Sequence, residues 1–344
     1  MRSLLLSLII LALLFPAVHG SVVQEQWYVS VNPSQVQLIV GPTNSSYIIT
    51  LLQGAKKAVY IEVYVLTYSE VAKTLEDLAS RGVQVYLVLS ANVYGGVPST
   101  EKKLVQEMQA SGVNVTFLGG FKYVHSKVFV IDNETVILGS INPTYSGLRK
   151  DLGVGLVIHN STIAKAFASV ILSDYYGAPV NNVSLPGMVV SPINSYSYLK
   201  DLLSQPGTVY LALEEVYQDS GLVGYISSHS GVVGVANRGD AIGELGLKQM
   251  DNVTAKVIVV GDYVYVGSIN LSHSSVFNNR ELGIIIKDPQ LAAQLKSLIS
   301  AWAGQVQGPT TVSSSSGHSG LPGYVIVIIV IAIILLVVAL LLRY

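Results

Sequence analysis

Short apolar runs rich in β-branched residues alternate with amphipathic stretches along most of the chain. In the first half, residues 59–63, 82–89 and 113–118 are apolar and have the character of buried strands. Residues 68–81 and 100–111, which lie between them, have the spacing of amphipathic helices. The alternation of the two kinds of segment predicts an α/β fold.

A β-hairpin is predicted where two β-branched runs, residues 128–131 and 135–138, flank the polar residues 132–134. His125 and Lys127 lie two positions apart at the start of this hairpin, so their side chains share one face of the strand. An ammonium beside an imidazole suits attack on an anionic centre. The ammonium neutralises a phosphate oxygen, and the imidazole is largely neutral near pH 7 and still basic.

The second half of the chain repeats the first in shortened form. The Pro-x-Asn-Ser stretch that ends at residue 45 recurs at residue 195, and the apolar run at 59–63 recurs at 209–213. One helix and one strand are then shortened or lost. The pattern returns with predicted strands at 255–260 and 264–266, and Gly-Ser-Ile-Asn follows the hairpin in both halves. The repeat predicts two lobes, residues 21–185 and 186–305.

Both ends of the chain have the character of membrane-targeting segments. Arg2, an apolar core at 4–15 and small residues at 17–20 predict a cleaved signal peptide over residues 1–20. An uncleaved anchor is the alternative, but the core is short for a full span. Residues 324–342 are apolar throughout, which predicts a transmembrane anchor over 323–344 behind a Ser/Gly-rich stalk at 306–322.

Composition and charge narrow the choice of partner. Half of the residues are hydrophobic, 12% are charged and the net charge is −1, so there is no basic field of the kind that holds a nucleic acid. The chain has no cysteine, which excludes disulfides and thiolate metal sites. Seven Asn-x-Ser/Thr sequons predict a glycoprotein with an extracytoplasmic domain. They begin at Asn44, Asn114, Asn133, Asn160, Asn182, Asn252 and Asn270.

The hairpin carries a specific motif. His125, Lys127 and Asp132 are spaced as His-x-Lys-x-x-x-x-Asp, and Gly139-Ser140-Ile141-Asn142 follows. This pattern resembles the signature of the phospholipase D superfamily, and the resemblance extends over about residues 36–303. It implies an α/β fold in which two pseudo-two-fold-related lobes bring two motifs into one cleft.

The resemblance also implies a metal-independent phosphodiesterase that needs no cofactor. In the superfamily one histidine attacks phosphorus to give a phosphohistidine, and the other protonates the leaving oxygen and then activates water. His125 takes the place of the nucleophile, with Lys127 and Asp132 in the same catalytic motif. The residues that match the phosphate binders are Ser140, Asn142, Lys256, Ser268 and Asn270.

The second motif departs from the pattern. Thr254 stands in place of the second histidine and Gly261 in place of the aspartate. By analogy with the superfamily, Glu281 is expected to orient His125 from the other lobe. Asp151 lies at nearly the same distance beyond His125 as Glu281 lies beyond Thr254, so the two are interpreted as counterparts. Asp132 lies in the hairpin turn, where aspartate also has a structural use.

Three sources of the missing proton-transfer group stay open. His273 follows Asn270 by three positions, and Tyr145 has the same place after Asn142. The third source is a homodimer in which two His125 side chains meet. The second lobe already covers that surface, so a monomer is favoured.

The sequence therefore predicts a single-pass protein of the cell membrane whose extracytoplasmic domain cleaves phosphodiesters. Phospholipids are favoured as substrate over nucleic acid, because the predicted anchor holds the domain near a bilayer and the chain lacks a basic field. A nuclease with the same chemistry is one alternative. A pseudoenzyme that binds anionic surface ligands without turnover is another.

Overall fold

The computed structural model describes residues 26–181 and 183–304. The predicted signal peptide, stalk and anchor, and the sequon at Asn182, lie outside these residues. Across the two described ranges, none of the helices has both the length and the apolar character of a membrane span.

The first lobe contains a seven-stranded mixed sheet with the strand order β1-β7-β6-β5-β2-β3-β4. Its strands are β1 (Val36–Val40), β2 (Ala58–Val63), β3 (Gln84–Ser90), β4 (Asn114–Leu118), β5 (Lys127–Ile131), β6 (Thr135–Gly139) and β7 (Val154–His159). Its helices are α1 (Tyr47–Gln53), α2 (Ser69–Ser80), α3 (Ser99–Ala110), α4 (Tyr145–Arg149) and α5 (Ser161–Tyr175).

The second lobe contains a second sheet of seven strands, in the order β8-β14-β13-β12-β9-β10-β11. Its strands are β8 (Met188–Ser191), β9 (Val209–Glu215), β10 (Val232–Arg238), β11 (Lys248–Gln249), β12 (Lys256–Val260), β13 (Tyr263–Gly267) and β14 (Glu281–Lys287). Its helices are α6 (Ser195–Leu203), α7 (Val223–Ser227), α8 (His273–Phe277) and α9 (Pro289–Ala303).

The two sheets have the same strand order, position by position, so the predicted α/β repeat is present in the described residues. The second copy is shorter at one edge. α7 takes the place of the longer α2, turns replace α3, and β11 has two residues where β4 has five. A local detail is also repeated: Asn44 Oδ1 accepts from Val40 N–H at 2.7 Å, and Asn194 Oδ1 accepts from Val190 N–H at 2.7 Å.

One hydrophobic core joins the lobes, because both sheets bury a face in it. Val128, Val130 and Leu138 of the first sheet belong to the same buried cluster as Val257 and Val266 of the second. Helices α5 and α9 cover the same core. Each lobe has a separate second cluster on the other face of its sheet, beneath its remaining helices. The shared core fixes the two motif hairpins side by side.

Paired main-chain contacts between the lobes lie where the hairpins begin. Val124 forms a parallel bridge with Arg280, and Leu152 forms the matching bridge with Val253. His125 N–H donates to Arg280 O at 2.7 Å, and Thr254 N–H donates to Leu152 O at 3.2 Å. Each motif is therefore held by the segment that precedes β7 or β14 of the opposite lobe.

Candidate active site

A cavity of about 830 Å³ lies beside His125 and is lined by both lobes. This volume lies within the usual range for a small-molecule site. Its walls include Tyr64, Tyr94, Lys122, Tyr123 and His125 from the first lobe, and Glu214, Glu215, Tyr217, Asp219, Arg238, Asn270 and Asn279 from the second. Carboxylates and tyrosines line the cavity together with two cations, which agrees with the near-zero net charge of the chain.

His125 is held from the opposite lobe. Its Nδ1 lies 3.1 Å from Glu281 Oε2, and its ring packs edge-on against Tyr64 with 4.8 Å between ring centroids. Glu281 is fully buried, and its Oε1 accepts from Ser275 Oγ and from Asn279 Nδ2. The carboxylate keeps the proton of His125 on Nδ1, so Nε2 carries the free lone pair that a nucleophile needs. About 17% of the His125 side chain is exposed, so the ring is reachable from the cavity.

The electrostatic surroundings keep His125 neutral. Burial and the charges of Lys127 and Lys256 lower the pKa of the imidazole, and Glu281 opposes them. Burial raises the pKa of Glu281, but His125 and Lys127 outweigh it, so the pKa of this carboxyl lies below its usual value. An ionised Glu281 next to a neutral imidazole supports the imidazolium that forms when a proton is taken up.

The two motif lysines are buried near each other but are held differently. Lys127 Nζ donates to His125 O at 2.5 Å and lies 5.6 Å from the Tyr64 ring centroid. Burial and the charge of Lys256 hold the pKa of Lys127 well below its usual range. Lys256 Nζ instead lies 2.6 Å from Glu214 Oε2. A bound phosphate would supply Lys127 with the counter-charge that Lys256 already has.

The two motif asparagines also differ. Asn270 lines the cavity, and its Oδ1 accepts from Glu215 N–H at 3.1 Å. Asn142 Oδ1 is buried and has no hydrogen-bond partner within the described ranges. The fold therefore does not use the side-chain oxygen of Asn142. Because Asn270 is 97% buried, its side chain is not accessible for glycosylation in the folded domain.

The motif serines have a structural role, which corrects their assignment as phosphate binders. Ser140 Oγ donates to Val154 O and accepts from Val154 N–H, and Ser268 Oγ makes the same pair of bonds with Leu282. Both serines are buried. Each hydroxyl joins the end of one strand to the next, and its proton is used in a bond to a main-chain carbonyl.

Asp132 is likewise not brought into the site. It lies at the far end of β5 from His125, roughly 20 Å away at the rise of an extended strand. Its carboxylate accepts from the N–H groups of Lys56, Lys57 and Ala58 at 2.7–3.0 Å. Asp132 has φ 55°, and its counterpart Gly261 has φ 57°. The aspartate therefore shapes the hairpin turn and closes a neighbouring loop, and it does not belong to the catalytic set.

The degenerate half of the site has lost two residues. Thr254 lies where the second histidine would be. The strand register shows that the first-lobe residue equivalent to Glu281 is Gly153 rather than Asp151. Counting along the sequence had matched Asp151 with Glu281, but Asp151 corresponds to Asn279. A Cβ at Gly153 would lie 3.4 Å from Thr254 Oγ1 and 2.8 Å from Ile141 Cγ1. The second lobe thus has neither the imidazole nor the carboxylate that would orient it.

The two candidate acids named from the sequence do not line the cavity. His273 is exposed at the start of α8, where its ring packs on Phe277 with centroids 5.0 Å apart. Tyr145 is 59% exposed at the matching position in α4. Both helices begin just after the motif asparagines, and the first residue of each is exposed.

Sequence reasoning missed five charged residues of the cavity: Lys122, Glu214, Glu215, Asp219 and Arg238. Arg238 Nη2 lies 2.7 Å from Glu215 Oε1 and 3.3 Å from Glu214 Oε1. Burial raises the pKa of Glu214, but Lys256, His125 and Lys127 outweigh it and lower that pKa to about 2. The available signal was the repeat itself, since Glu214 occupies the position of Tyr64 in the first lobe.

A buried cluster of acidic and basic side chains lies behind His125. Arg280, whose carbonyl holds His125, pairs with Asp174 of α5 through Nε and Oδ2 at 2.9 Å. Ser126 Oγ donates to Glu62 Oε1 at 2.6 Å. Burial and the charge of Asp174 raise the pKa of Glu62 well above its usual value. The cluster joins β2, α5 and the segment before β14 directly behind the histidine.

Comparison with known proteins indicates the same family as the motif does. The model of the "Cardiolipin synthase, PLD-like domain" family matches residues 48–175 and 234–302. Cardiolipin synthase 1 of Staphylococcus epidermidis is 28% identical over 131 residues, which is 36% of this chain and 26% of the relative. Phospholipase D of Rickettsia bellii is 26% identical over 129 residues, or 38% of this chain and 62% of the relative. The chain therefore spans about a quarter of the first relative and three-fifths of the second.

A solved structure extends the likeness in fold to both lobes. Phosphatidylserine synthase of Haemophilus influenzae covers 79% of this chain with a TM-score of 0.59, at 11% identity and over 87% of its own length. At this identity the match concerns the fold alone.

Proposed function

Since the chain belongs to the phospholipase D superfamily, we propose that it is a phosphodiesterase in which His125 is the nucleophile. The contact of His125 with Glu281 carries the proposal, because it joins a neutral imidazole to an ionised carboxylate across two lobes. Lys127, Asn142, Lys256 and Asn270 would bind the non-bridging oxygens. The lobe with the intact motif supplies the nucleophile, and the lobe with the degenerate motif orients it.

In the first step, His125 Nε2 forms a bond to phosphorus while the bond to the leaving oxygen breaks. The transferred phosphoryl group stays on the histidine, and the positive imidazolium is supported by Glu281. The two buried lysines stabilise the charge on the non-bridging oxygens as the transition state forms. In the second step, water attacks the phosphohistidine and releases the imidazole.

Phospholipid is the substrate class that we propose. The relatives named above are a cardiolipin synthase and a phospholipase D, and their names refer to lipid diesters. The cavity carries Glu214, Glu215 and Asp219 against Lys122 and Arg238, a balance that does not favour a long polyanion. We further propose a domain outside the cytoplasm held at a membrane by the apolar C-terminal segment at residues 324–342.

The test is mass spectrometry of the purified protein, denatured at alkaline pH so that phosphohistidine survives, after exposure to phosphatidylglycerol micelles and, separately, to single-stranded oligonucleotides. We expect a phosphoryl adduct on His125 from the lipid, and its loss together with turnover in His125→Asn with an unchanged melting temperature. An adduct that forms only with the oligonucleotide would show that the substrate is a nucleic acid rather than a lipid. Full activity in His125→Asn would end the proposal.

A binder of anionic ligands without turnover is the second candidate function. It is favoured by the presence of Thr254 where the motif has a histidine. It is also favoured by the ion pair that Glu214 already forms with Lys256. The same experiment separates the two candidates. Saturable binding of the lipid with no adduct, under conditions where the histidine is neutral, would favour the binder over the enzyme.

A further inference from the structure

The ends of β2 and β9 occupy equivalent places, but they present different side chains to the cavity. Val63 pairs with Lys127 in the first sheet, and Leu213 pairs with Lys256 in the second. The next residue is Tyr64 in one lobe and Glu214 in the other. Tyr64 N–H donates to Ser126 O, and Glu214 N–H makes the same bond with Ala255 O. Glu214 therefore has the position in the second lobe that Tyr64 has in the first.

This equivalence locates the Glu214 carboxylate. Tyr64 packs against the imidazole of His125, so Glu214 occupies the matching space beside Thr254, where the second imidazole of the superfamily is missing. Its Oε2 lies 2.6 Å from Lys256 Nζ. We propose that Glu214 carries out the proton transfers in this cleft that a second histidine carries out elsewhere in the superfamily. This inference rests on the proposed phosphodiesterase function.

The carboxylates that line the cavity all have partners, and Glu214 differs from the others in pairing with a motif lysine as well as with Arg238. Glu215 pairs with Arg238 at 2.7 Å, and Asp219 Oδ1 accepts from His273 N–H at 3.0 Å. Glu214 is the cavity carboxylate bound directly to a lysine of a phosphate-binding motif. The titratable and charged groups whose electrostatic influence couples to Glu214 are Lys256, His125, Lys127, Arg238, Tyr64 and Asp151.

A bound diester changes the protonation of this group. Glu214 is ionised when it is paired with Lys256, because Lys256, His125 and Lys127 outweigh the effect of burial on its pKa. A phosphate that binds Lys256 takes over that ion pair and brings a negative charge next to the carboxylate. Both changes raise the pKa of Glu214, so substrate binding favours uptake of a proton from solvent.

The proton balance then closes over the two steps. As His125 Nε2 bonds to phosphorus, the Glu214 carboxyl gives its proton to the departing alkoxide and becomes a carboxylate. In the second step this carboxylate takes a proton from water while the water oxygen bonds to phosphorus and the bond to His125 breaks. The products are an alcohol and a phosphomonoester, and the carboxylic acid is restored.

The test compares Glu214→Gln with wild type on two diesters whose leaving groups differ. Phosphatidylglycerol releases an alkoxide that needs a proton, whereas bis-nitrophenyl phosphate releases a phenolate that does not. We expect Glu214→Gln to form the His125 adduct from the lipid about 10²–10⁴-fold more slowly. With the nitrophenyl diester, formation should stay within about threefold of wild type, while hydrolysis of the adduct slows so that it accumulates. Adduct formation from this substrate also shows that the variant is folded.

Glu107→Gln is the control, since it changes an exposed carboxylate of α3 that pairs with Lys103 and does not line the cavity. We expect it to stay within about threefold of wild type on both substrates. Equal lipid rates in Glu214→Gln and wild type would overturn the role of Glu214 and leave the phosphodiesterase intact. No adduct in wild type with either diester would overturn both.

Proton uptake gives a readout that does not depend on turnover. Binding of sulfate, which exchanges no proton near neutral pH, is measured by titration calorimetry in two buffers of different ionisation enthalpy. Lys127 contributes to the uptake in every variant, so the difference between wild type and Glu214→Gln isolates Glu214. A larger uptake in wild type supports the inference, and equal uptake contradicts the acid step.

Discussion

The two lobes share their architecture and differ in their chemistry. The strand order, the serine that closes each pair of strands and the main-chain bridge from each motif to the opposite lobe are present twice. The side chains that face the cleft are not: His125 and Tyr64 of the first lobe correspond to Thr254 and Glu214 of the second. Main-chain hydrogen bonds and buried contacts maintain the repeat, so the reactive side chains could change in one copy without loss of the fold.

The largest difference between the lobes that can be tested is the carboxylate that orients the motif histidine. His125 has Glu281 in this role, and Thr254 has no equivalent of it. We expect Glu281→Gln to lower kcat roughly 10²–10⁴-fold, because an amide neither fixes the tautomer of His125 nor supports its imidazolium. KM should change little, since Glu281 is not among the residues that line the cavity. Steady-state kinetics on phosphatidylglycerol measure both constants.

The control is Asp151→Asn in the other half of the site. Asp151 corresponds to Asn279 and has no histidine to orient, so its amide variant should stay within about threefold of wild type. A loss in Asp151→Asn as large as that in Glu281→Gln would show that the cleft needs the carboxyl of Asp151 as much as that of Glu281, and the comparison would fail.

The motif lysines give the next difference. We expect Lys127→Met to lower kcat/KM about 10²-fold and Lys256→Met about tenfold. These losses correspond to charge-assisted hydrogen bonds that contribute different net free energies. Lys127 donates to a neutral carbonyl oxygen, so a bound phosphate would be the first full negative charge in contact with its ammonium group. Lys256 must first exchange the Glu214 carboxylate for the substrate. An equal or larger loss at Lys256 would show that Glu214 does not compete with the phosphate.

The secondary structure and the repeat were predictable because their signals are local. Continuous apolar runs rich in β-branched residues and a recurring Pro-x-Asn-Ser stretch need no knowledge of packing, and the hairpin residues 128–131 and 135–138 fall within β5 and β6. The contact between His125 and Glu281 was also expected, from the resemblance to a family whose lobes face each other.

The remaining features depend on tertiary register. Counting residues matched Asp151 with Glu281, whereas strand pairing places Gly153 there, because the count does not show where β7 and β14 begin. The position of Glu214 at the cleft follows from the pairing of β9 with β12, which the sequence pattern does not specify. The hydroxyls of Ser140 and Ser268 turn toward the next strand rather than toward a ligand, and a motif does not reveal that direction.

The smallest expected effect concerns the hairpin turn, and it separates a structural aspartate from a catalytic one. In the second lobe, Gly261 is equivalent to Asp132 and Pro206 is equivalent to Lys56. Because proline has no N–H, the second-lobe loop has one donor fewer that needs an acceptor. We expect Asp132→Gly to keep the turn, leave kcat within about threefold of wild type and cost about 1–2 kcal/mol of unfolding free energy, because three N–H groups lose their acceptor. Urea unfolding and kinetics on the same sample measure both quantities.

The pH dependence of this cost identifies the ionised carboxylate as its source. Burial opposes the charge of Asp132, but its backbone hydrogen bonds to Ala58, Lys57 and Lys56 prevail and lower its pKa below the usual 3.8. The stabilisation by the ionised form is therefore present above pH 3.8 and is lost as the pH falls through the folded-state pKa. The difference in stability between wild type and Asp132→Gly should shrink in that acidic window. A large loss of kcat at neutral pH would instead return Asp132 to the catalytic set.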